Sequence, residues 1–232
     1  MDSIEIASPA GKLDVLLSRP SGKGPWPGVV VVHDGLGVTD DLRGQLEHLA
    51  ANGYLAIAPN LFTRGRARCI KEIYRALLFT GAGPAVGEIV AARDRLAAEA
   101  DCTGRIAVLG FCMGGGFALL SAPAGFAAAA PFYASLYGDY KALLDGACPV
   151  VASYATRDPF LRDGAIRLEQ ALTVNGVEHD IKTYSATHGF ANVFPGNAVL
   201  ERIGLGHDVT ASADAWRRVF EFFDRHLRTD TA

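Results

Sequence analysis

The chain has 232 residues, of which 50% are hydrophobic and 20% are charged, and its formal net charge at pH 7 is -3. This composition excludes an intrinsically disordered chain, and without a basic excess we expect no nucleic-acid partner. The longest apolar runs fall far short of the roughly 20 residues that span a bilayer, so we expect no membrane partner either.

The length favours one domain, because domains average about 150 residues and no repeat or linker divides this chain. We therefore predict a single domain over residues 1–232, present as a monomer or a small homo-oligomer. Residues 1–10 carry two acidic side chains and lack the basic and apolar regions of a secretion signal, so we expect a cytoplasmic location. The four cysteines form no CxxC pair and predict no disulfide framework.

Apolar runs of strand length alternate with stretches of helical spacing, a pattern typical of a parallel sheet with crossover helices. Most of the strand runs are continuously apolar, as expected for strands covered on both faces. The sequence predicts an α/β fold with a mostly parallel sheet of about seven to eight strands and helices on both faces. Strands are predicted at 12–19, 28–33, 54–58, 105–110, 127–132, 150–154 and 180–184, and helices at 41–51, 85–100, 113–121, 164–175 and 212–227.

A candidate nucleophile lies between a predicted strand and the helix that follows it. Gly110 and Gly114 flank Cys112 at two residues on either side, which is the spacing of a nucleophile elbow with sulfur in place of a hydroxyl. Glycines are needed there because side chains at these positions would collide with the adjacent strand and helix. The turn places the sulfur at a helix N-terminus, which favours the thiolate. The alternative is a buried cysteine at a glycine-rich junction.

A cysteine nucleophile needs a base and an acid that orients the base, and both follow later strands. Asp158 comes after the strand predicted at 150–154, and His188 comes after the strand predicted at 180–184. Both loops leave the carboxyl ends of their strands, where sheets of this class gather their ligands. The chain order Cys112, Asp158, His188 is that of the α/β-hydrolase fold. The other histidines either precede a strand or lie on or beside helices, apart from His33, which is expected to bond backbone groups at a strand end.

Several further side chains are placed near these loops by the sequence. Tyr133, Phe62 and Phe160 are predicted either to line a substrate pocket or to serve as core aromatics. The segment 63–83 is longer than an ordinary strand-to-helix loop and is predicted to be an insertion over the site. Cys69, Cys102 and Cys148 lack a glycine elbow and are expected to be packing residues.

At this point the chain resembles the dienelactone hydrolase family, the cysteine branch of the α/β-hydrolases. The resemblance runs over most of the chain and is specific in five segments, which are 30–37 (VVVHDGLG), 56–62 (AIAPNLF), 110–115 (GFCMGG), 157–160 (RDPF) and 188–190 (HGF). It implies a thiol hydrolase with Cys112, Asp158 and His188 as its triad. It also implies an oxyanion hole formed by the backbone N–H groups of Gly35 and Met113.

The resemblance is imperfect at two positions. Asp34 stands where the family has a glutamate that assists ionisation of the thiol, and its side chain is one methylene shorter. Asn192 stands four residues after the histidine, where the dienelactone enzymes have an arginine that binds the substrate carboxylate. We therefore assign Asp34 an assisting role and Asn192 a substrate-binding role. Candidates for a second carboxylate-binding arginine are Arg64, Arg66, Arg68 and Arg75.

The expected reaction is hydrolysis of a lactone or small carboxylic ester, with a small-molecule substrate, a thioester intermediate and no cofactor or metal. An alternative is a non-catalytic binding protein that keeps the hydrolase fold. A dinucleotide site is disfavoured, because the glycine pair Gly35 and Gly37 is followed by Asp40 where the third glycine of the fingerprint belongs.

Overall fold

Eight strands form one mixed sheet in the computed structural model, which describes residues 1–161, 163–193 and 206–228. The spatial order is β1-β2-β4-β3-β5-β6-β7-β8. Strands β3 to β8 run parallel to one another, whereas β1 pairs antiparallel with β2 and β2 pairs antiparallel with β4. The strands are β1 (Asp2–Ser8), β2 (Gly11–Ser18), β3 (Trp26–Val32), β4 (Leu55–Pro59), β5 (Cys102–Phe111), β6 (Ala128–Phe132), β7 (Val150–Ala155) and β8 (His179–Tyr184).

Helices cover both faces of this sheet. Side chains of α1 and α7 belong to the hydrophobic core on one face, and side chains of α2, α3, α4 and α6 belong to the core on the other. The helices are α1 (Asp40–Ala51), α2 (Arg66–Arg75), α3 (Pro84–Ala97), α4 (Met113–Ser121), α5 (Tyr140–Leu143), α6 (Gly164–Val174) and α7 (Val209–Leu227). The predicted α/β fold with a mostly parallel sheet and two helical layers is therefore confirmed.

The central strands are continuously apolar because each face of the sheet is packed against helices. In β3, Val30 and Val32 lie in the core that contains α3 and α4, whereas Val29 and Val31 lie in the core that contains α1 and α7. All four valines are fully buried. The parallel register aligns the carboxyl ends of β3 to β8 along one edge, where the loops that carry the candidate residues begin.

The structure differs from the sequence prediction at three places. The strand β1 was not predicted, because it is an edge strand with only Ile4 and Ile6 packed against the core. The segment 63–83, which was predicted to be an insertion over the site with no helix assigned to it, contains α2 and a π-helical turn at Ala76–Thr80. The short helix α5 was also missed, since a single turn carries no periodic signal. Among the helices of the described residues, none is long and apolar enough to cross a membrane.

Candidate active site

Cys112 lies on a tight turn between β5 and α4, with backbone angles φ 54° and ψ -114°. Non-glycine residues rarely adopt a positive φ, and such strain concentrates at functional sites. The flanking glycines allow the turn to close. A Cβ atom on Gly110 would lie 2.1 Å from the carbonyl oxygen of Gly114, and one on Gly114 would lie 2.2 Å from the carbonyl oxygen of Val32. Glycine is therefore required at both positions, for the steric reason expected from the sequence.

Backbone hydrogen bonds hold the elbow against β6. The Cys112 N–H donates to the carbonyl oxygen of Phe132 at 3.0 Å, and the Cys112 carbonyl oxygen accepts from the N–H groups of Gly116 and Ser135, both at 3.1 Å. The half-buried Cys112 Sγ lies 3.9 Å from Ser135 Oγ. The sulfur is thus held at the N-terminus of α4, on the edge of the sheet where the parallel strands end.

His188 and Asp158 form a buried pair beside this elbow. His188 Nδ1 lies 2.7 Å from Asp158 Oδ2, and the two side chains are only 7% and 1% exposed. The second oxygen of Asp158 accepts the Phe160 N–H at 2.8 Å, so both carboxylate oxygens have partners. The pair fixes the orientation of the imidazole, and because Asp158 occupies Nδ1, the other ring nitrogen is left for the sulfur.

The protonation of His188 follows from its neighbours. Burial by itself lowers the pKa of His188, but the hydrogen bond to Asp158 and the interaction with Cys112 outweigh it and raise the pKa to about 9. A carboxylate and a sulfur on opposite sides of the ring both favour the imidazolium. The raised pKa favours the protonated form of the ring at neutral pH.

The loop after β3 carries Asp34 and Gly35. Gly35 is exposed, and a Cβ atom built on it would meet nothing within 4 Å, so there is open space beside its backbone. Asp34 Oδ1 accepts the Leu36 N–H at 2.7 Å, which closes a local turn. Among the described hydrogen bonds, none joins the Asp34 side chain to Cys112. Burial, together with the charge of Asp41, raises the pKa of Asp34.

Tyr133 and Asn192, both assigned to substrate binding from the sequence, are buried beneath His188. The Tyr133 ring centroid lies 4.9 Å from that of His188, and its hydroxyl donates to Asn192 Oδ1. Asn192 is 2% exposed and its Nδ2 donates to Asp41 Oδ2 at 2.7 Å. This arrangement supports the histidine loop from below and leaves neither side chain facing open space.

Phe160 and Phe62, the other aromatic residues assigned to a substrate pocket, have different surroundings. Phe160 is 59% exposed and lies edge-on to His188, with ring centroids 5.4 Å apart. Phe62 packs against the His33 ring at 4.9 Å and beneath the Arg66 guanidinium. Phe160 is thus at the open side of the site, whereas Phe62 supports the loop after β3.

The arginines named as carboxylate-binding candidates are mostly engaged within the protein. Arg64 forms ion pairs with Glu72 at 2.8 Å and with Glu88 at 3.0 Å. Arg68 pairs with Glu72 at 3.2 Å, and Arg75 ends α2. Arg66 donates to the carbonyl oxygens of Gly35 and Leu36 at 2.8 and 3.0 Å, so the segment 63–83 does contact the site loop.

Asp41, in the first turn of α1, was not predicted from the sequence to belong to the site. Its carboxylate accepts hydrogen bonds from the Asn192 side chain, the Val193 N–H and the Gln45 side chain, each at 2.7 Å. An acidic residue in the first turn of a helix is common, so the sequence carries no signal that distinguishes Asp41. Only the fold brings it to the histidine loop.

The three remaining cysteines have surroundings that differ from those of Cys112. Cys69 and Cys148 are buried and Cys102 is half-buried, and all are free thiols. Burial raises the pKa of Cys69 and of Cys102, and it raises the pKa of Cys148 to about 12. These thiols are therefore expected to stay protonated and slow to react near neutral pH.

Comparison with known proteins identifies the family. The family model described as "Dienelactone hydrolase family" matches residues 13–227. A carboxymethylenebutenolidase of Rhodococcus opacus is 31% identical over 240 residues, which cover 93% of this chain and 88% of that protein.

Two solved structures show the same fold. A dienelactone hydrolase-like promiscuous phosphotriesterase from metagenomic libraries has a TM-score of 0.80 and 23% identity, with 97% of each chain covered. Esterase 2 of Thermogutta terrifontis, phosphonylated by cyclosarin, has a TM-score of 0.70 and 19% identity, with 99% of this chain and 96% of that chain covered. With the family model matching nearly its whole length, the chain belongs to the dienelactone hydrolase family and is a hydrolase of the α/β-hydrolase fold.

Proposed function

We propose that this protein hydrolyses a lactone or small carboxylic ester, with Cys112 as the nucleophile, His188 as the proton carrier and Asp158 as the group that orients the histidine. The observation that carries the proposal is the strained Cys112 elbow beside a buried His188–Asp158 pair with a 2.7 Å contact. A nucleophile with a base oriented by a third group is the general requirement for covalent catalysis of acyl transfer.

In the first half of the reaction the Cys112 thiolate attacks the carbonyl carbon of the substrate. The charge that develops on the carbonyl oxygen is stabilised by the N–H groups of Met113 and Gly35, and one such donor typically contributes about 2.7 to 4 kcal/mol. The tetrahedral adduct collapses as the protonated His188 gives its proton to the leaving alcohol oxygen. A thioester on Cys112 is formed; with a lactone, the alcohol stays attached to the acyl group.

In the second half water attacks the thioester while His188, now neutral, accepts a proton from it. The second tetrahedral adduct expels the Cys112 sulfur and releases the carboxylic acid. The net change is addition of one water molecule across the ester bond. Esters and lactones suit this chemistry better than amides, because a thiolate leaves a tetrahedral adduct more readily than an amine does.

Asp34 is proposed to assist at the thiol through charge rather than through contact. Its carboxylate is held by the Leu36 N–H, and its charge interacts with that of His188. An Asp34→Asn variant should lower kcat/KM and raise the pH needed for alkylation of Cys112. An unchanged pH profile of alkylation would show that Asp34 only closes the local turn.

The test compares wild type with Cys112→Ala on p-nitrophenyl acetate, simple lactones and a dienelactone. Cys102→Ala is the matched control, because Cys102 begins the same strand, β5, whose far end leads into Cys112. We expect loss of activity in Cys112→Ala alone and fast alkylation by iodoacetamide at Cys112 alone. Equal activity of wild type and Cys112→Ala would exclude the proposed nucleophile. No activity in any variant, with uniformly slow labelling, would favour the non-catalytic binding protein.

A further inference from the structure

His33 follows the last residue of β3 and is 1% exposed. Both of its ring nitrogens have backbone partners. The Leu61 N–H donates to His33 Nε2 at 3.0 Å, and His33 Nδ1 lies 2.7 Å from the carbonyl oxygen of Asp34. A backbone N–H can only donate, so Nε2 must be the acceptor and Nδ1 must carry the proton. The geometry therefore fixes one tautomer, in which Nδ1–H donates to the Asp34 carbonyl.

The Asp34 carbonyl belongs to the same peptide unit as the Gly35 N–H, which is the proposed oxyanion donor. A peptide unit is planar, so holding its carbonyl oxygen also sets the direction in which its N–H points. A hydrogen bond to the carbonyl also polarises the amide and strengthens its N–H as a donor. The bond from His33 therefore acts on both the direction and the strength of the Gly35 N–H.

The next peptides of the loop are held in the same way. The Arg66 guanidinium donates to the carbonyl oxygens of Gly35 and Leu36 at 2.8 and 3.0 Å. The Gly37 N–H adds a second bond to the Asp34 carbonyl at 3.2 Å. In the described part of the chain, no hydrogen bond uses the Gly35 N–H itself. The carbonyl oxygens of Asp34, Gly35 and Leu36 are thus all engaged, and the Gly35 N–H is left for a ligand.

We propose that His33 is a positioning residue of the oxyanion hole, which holds the Asp34–Gly35 peptide through its Nδ1–H so that the Gly35 N–H faces the substrate carbonyl oxygen. The proposal rests on the hydrolysis mechanism given above. His33 touches no substrate and does not exchange protons in the reaction. Burial, together with the charge of Arg66, lowers the pKa of His33 to about 4, although the bond to Asp34 opposes the shift. The ring therefore stays neutral throughout the range in which the enzyme is assayed.

Two substitutions separate the hydrogen bond to the Asp34 carbonyl, which is proposed to matter for catalysis, from the hydrogen bond to the Leu61 N–H. In His33→Asn the amide nitrogen takes the place of Nδ1, so the bond to Asp34 is retained and the bond to Leu61 is lost. In His33→Gln the amide oxygen takes the place of Nε2, so the bond to Leu61 is retained and the bond to Asp34 is lost. Each variant loses one hydrogen bond, and the pair is matched for polarity.

We expect His33→Gln to lower kcat for p-nitrophenyl acetate by roughly 10- to 100-fold, below the full effect of deleting an oxyanion donor, because the Gly35 N–H is still present. KM should stay unchanged in both variants, and His33→Asn should keep a kcat within about threefold of wild type. The affinity for an alkyl trifluoromethyl ketone, which forms a tetrahedral adduct with an oxyanion, should fall with kcat in His33→Gln.

The rate at which iodoacetamide alkylates Cys112 distinguishes a positioning role from a general structural defect, because only a structural defect would change this rate. This reaction needs the thiolate but no oxyanion hole, so its rate should be the same in wild type and both variants. A His33→Asn variant less active than His33→Gln, or a parallel loss of alkylation, would overturn the positioning role. If wild type neither hydrolyses esters nor is alkylated at Cys112, the proposed function fails. If wild type is active and His33→Gln is equally active, only the inference about His33 is refuted.

Discussion

Close packing and hydrogen bonds of backbone atoms hold the Cys112 elbow, whereas hydrogen bonds to two side-chain carboxylates hold the His188 loop. At the elbow, a Cβ atom on Gly115 would lie 2.7 Å from the carbonyl oxygen of Phe132, and one on Gly116 would lie 2.2 Å from that of Ser135. Together with Gly110 and Gly114, four glycines let two strands and a helix approach as closely as their backbones allow. The nearest atom to each added Cβ belongs to the backbone, which cannot adjust as a side chain can.

The His188 loop is held instead by side-chain hydrogen bonds. Asp158 holds the imidazole, and Asp41 holds the loop four and five residues further on, through the Asn192 side chain and the Val193 N–H. These bonds link residues that are far apart in the chain, as Asp41 and Asn192 are separated by 151 positions. Burial raises the pKa of Asp41, although its bonds to Asn192 and Val193 offset part of the shift.

This difference predicts whether a substitution in the Cys112 elbow or in the His188 loop first reduces stability or first reduces activity. A steric defect at the elbow cannot relax without moving a strand, so it should reduce the free energy of unfolding first. A defect in the hydrogen bonds of the histidine loop should reduce activity first and should depend on pH. The following substitutions test this contrast, from the largest expected effect to the smallest.

Asp158→Asn should lower kcat/KM for ester hydrolysis by roughly 10³- to 10⁴-fold, because the imidazole loses its charge partner and its fixed tautomer. The free energy of unfolding should change far less than the activity does. The matched control is Asp163→Asn, which alters an exposed acid at the start of α6 that makes no side-chain cap bond. Steady-state kinetics with p-nitrophenyl acetate provides the measurement, and equal loss in the two variants would exclude a special role for Asp158.

Gly114→Ala should reduce the free energy of unfolding by more than about 3 kcal/mol, because the added methyl meets backbone oxygens that cannot move. The control is Gly44→Ala on the exposed side of α1, where a Cβ atom meets nothing within 4 Å. That substitution should stabilise the protein by about 0.5 to 1 kcal/mol, since it restricts the unfolded chain. Urea denaturation measures both, and a tolerated Gly114→Ala would contradict the close-packing account of the elbow.

The stability contributed by His188 should depend on pH in a defined direction. Its folded pKa of about 9 lies above the ordinary value of 6.5, so the folded state binds the proton more tightly. The stabilisation should be fully present below pH 6.5, amount to roughly 3 kcal/mol, and disappear as the pH rises through 9. The difference in unfolding free energy between wild type and His188→Asn, measured from pH 6 to pH 10, should therefore shrink as the pH rises. An increase of this free-energy difference with rising pH would contradict a raised pKa of His188 in the folded state.

Asp41→Asn should destabilise the protein by about 1 to 3 kcal/mol, because one amide oxygen cannot accept all three hydrogen bonds and a buried donor is left unpaired. Activity should fall by about tenfold as the histidine loop loosens, which corresponds to 1.36 kcal/mol of barrier. Asp40→Asn, at the neighbouring position where the side chain is fully exposed, should leave both quantities unchanged. Identical behaviour of the two variants would show that the Asp41 network does not hold the loop.

Of the elements that the structure describes, the sequence predicted seven of the eight strands and five of the seven α-helices, because each of these is encoded by a local pattern. The second half of β5, for example, is a continuous apolar run that leads into a glycine-rich turn, and both features lie within a short stretch of chain. The edge strand β1 was missed because only alternate side chains pack on the core, while the others face solvent. The helix α2 was missed because its charged residues hide a short apolar stripe, of which only Cys69 and Ile73 are buried.

Within the site, the order of Cys112, Asp158 and His188 along the chain was readable because each follows a strand that the sequence predicts. The supporting residues were not readable in the same way. His33 was expected to satisfy backbone groups, but its partner Leu61 comes within reach only when β3 and β4 lie side by side. Arg66 and Asp41 have unremarkable sequence contexts, and their contacts depend on how loops from different strands meet.

By itself the sequence determined the layered α/β architecture and the positions of the three candidate triad residues, because hydrophobic periodicity and the glycine spacing act over short stretches of chain. Only the tertiary structure decided which side chains support that triad, since hydrogen bonds such as those of Asp41 and His33 depend on where distant strands end. Tyr133 and Asn192 illustrate the point: the sequence places them near His188, and their hydrogen bonds to each other and to Asp41 make them part of its support.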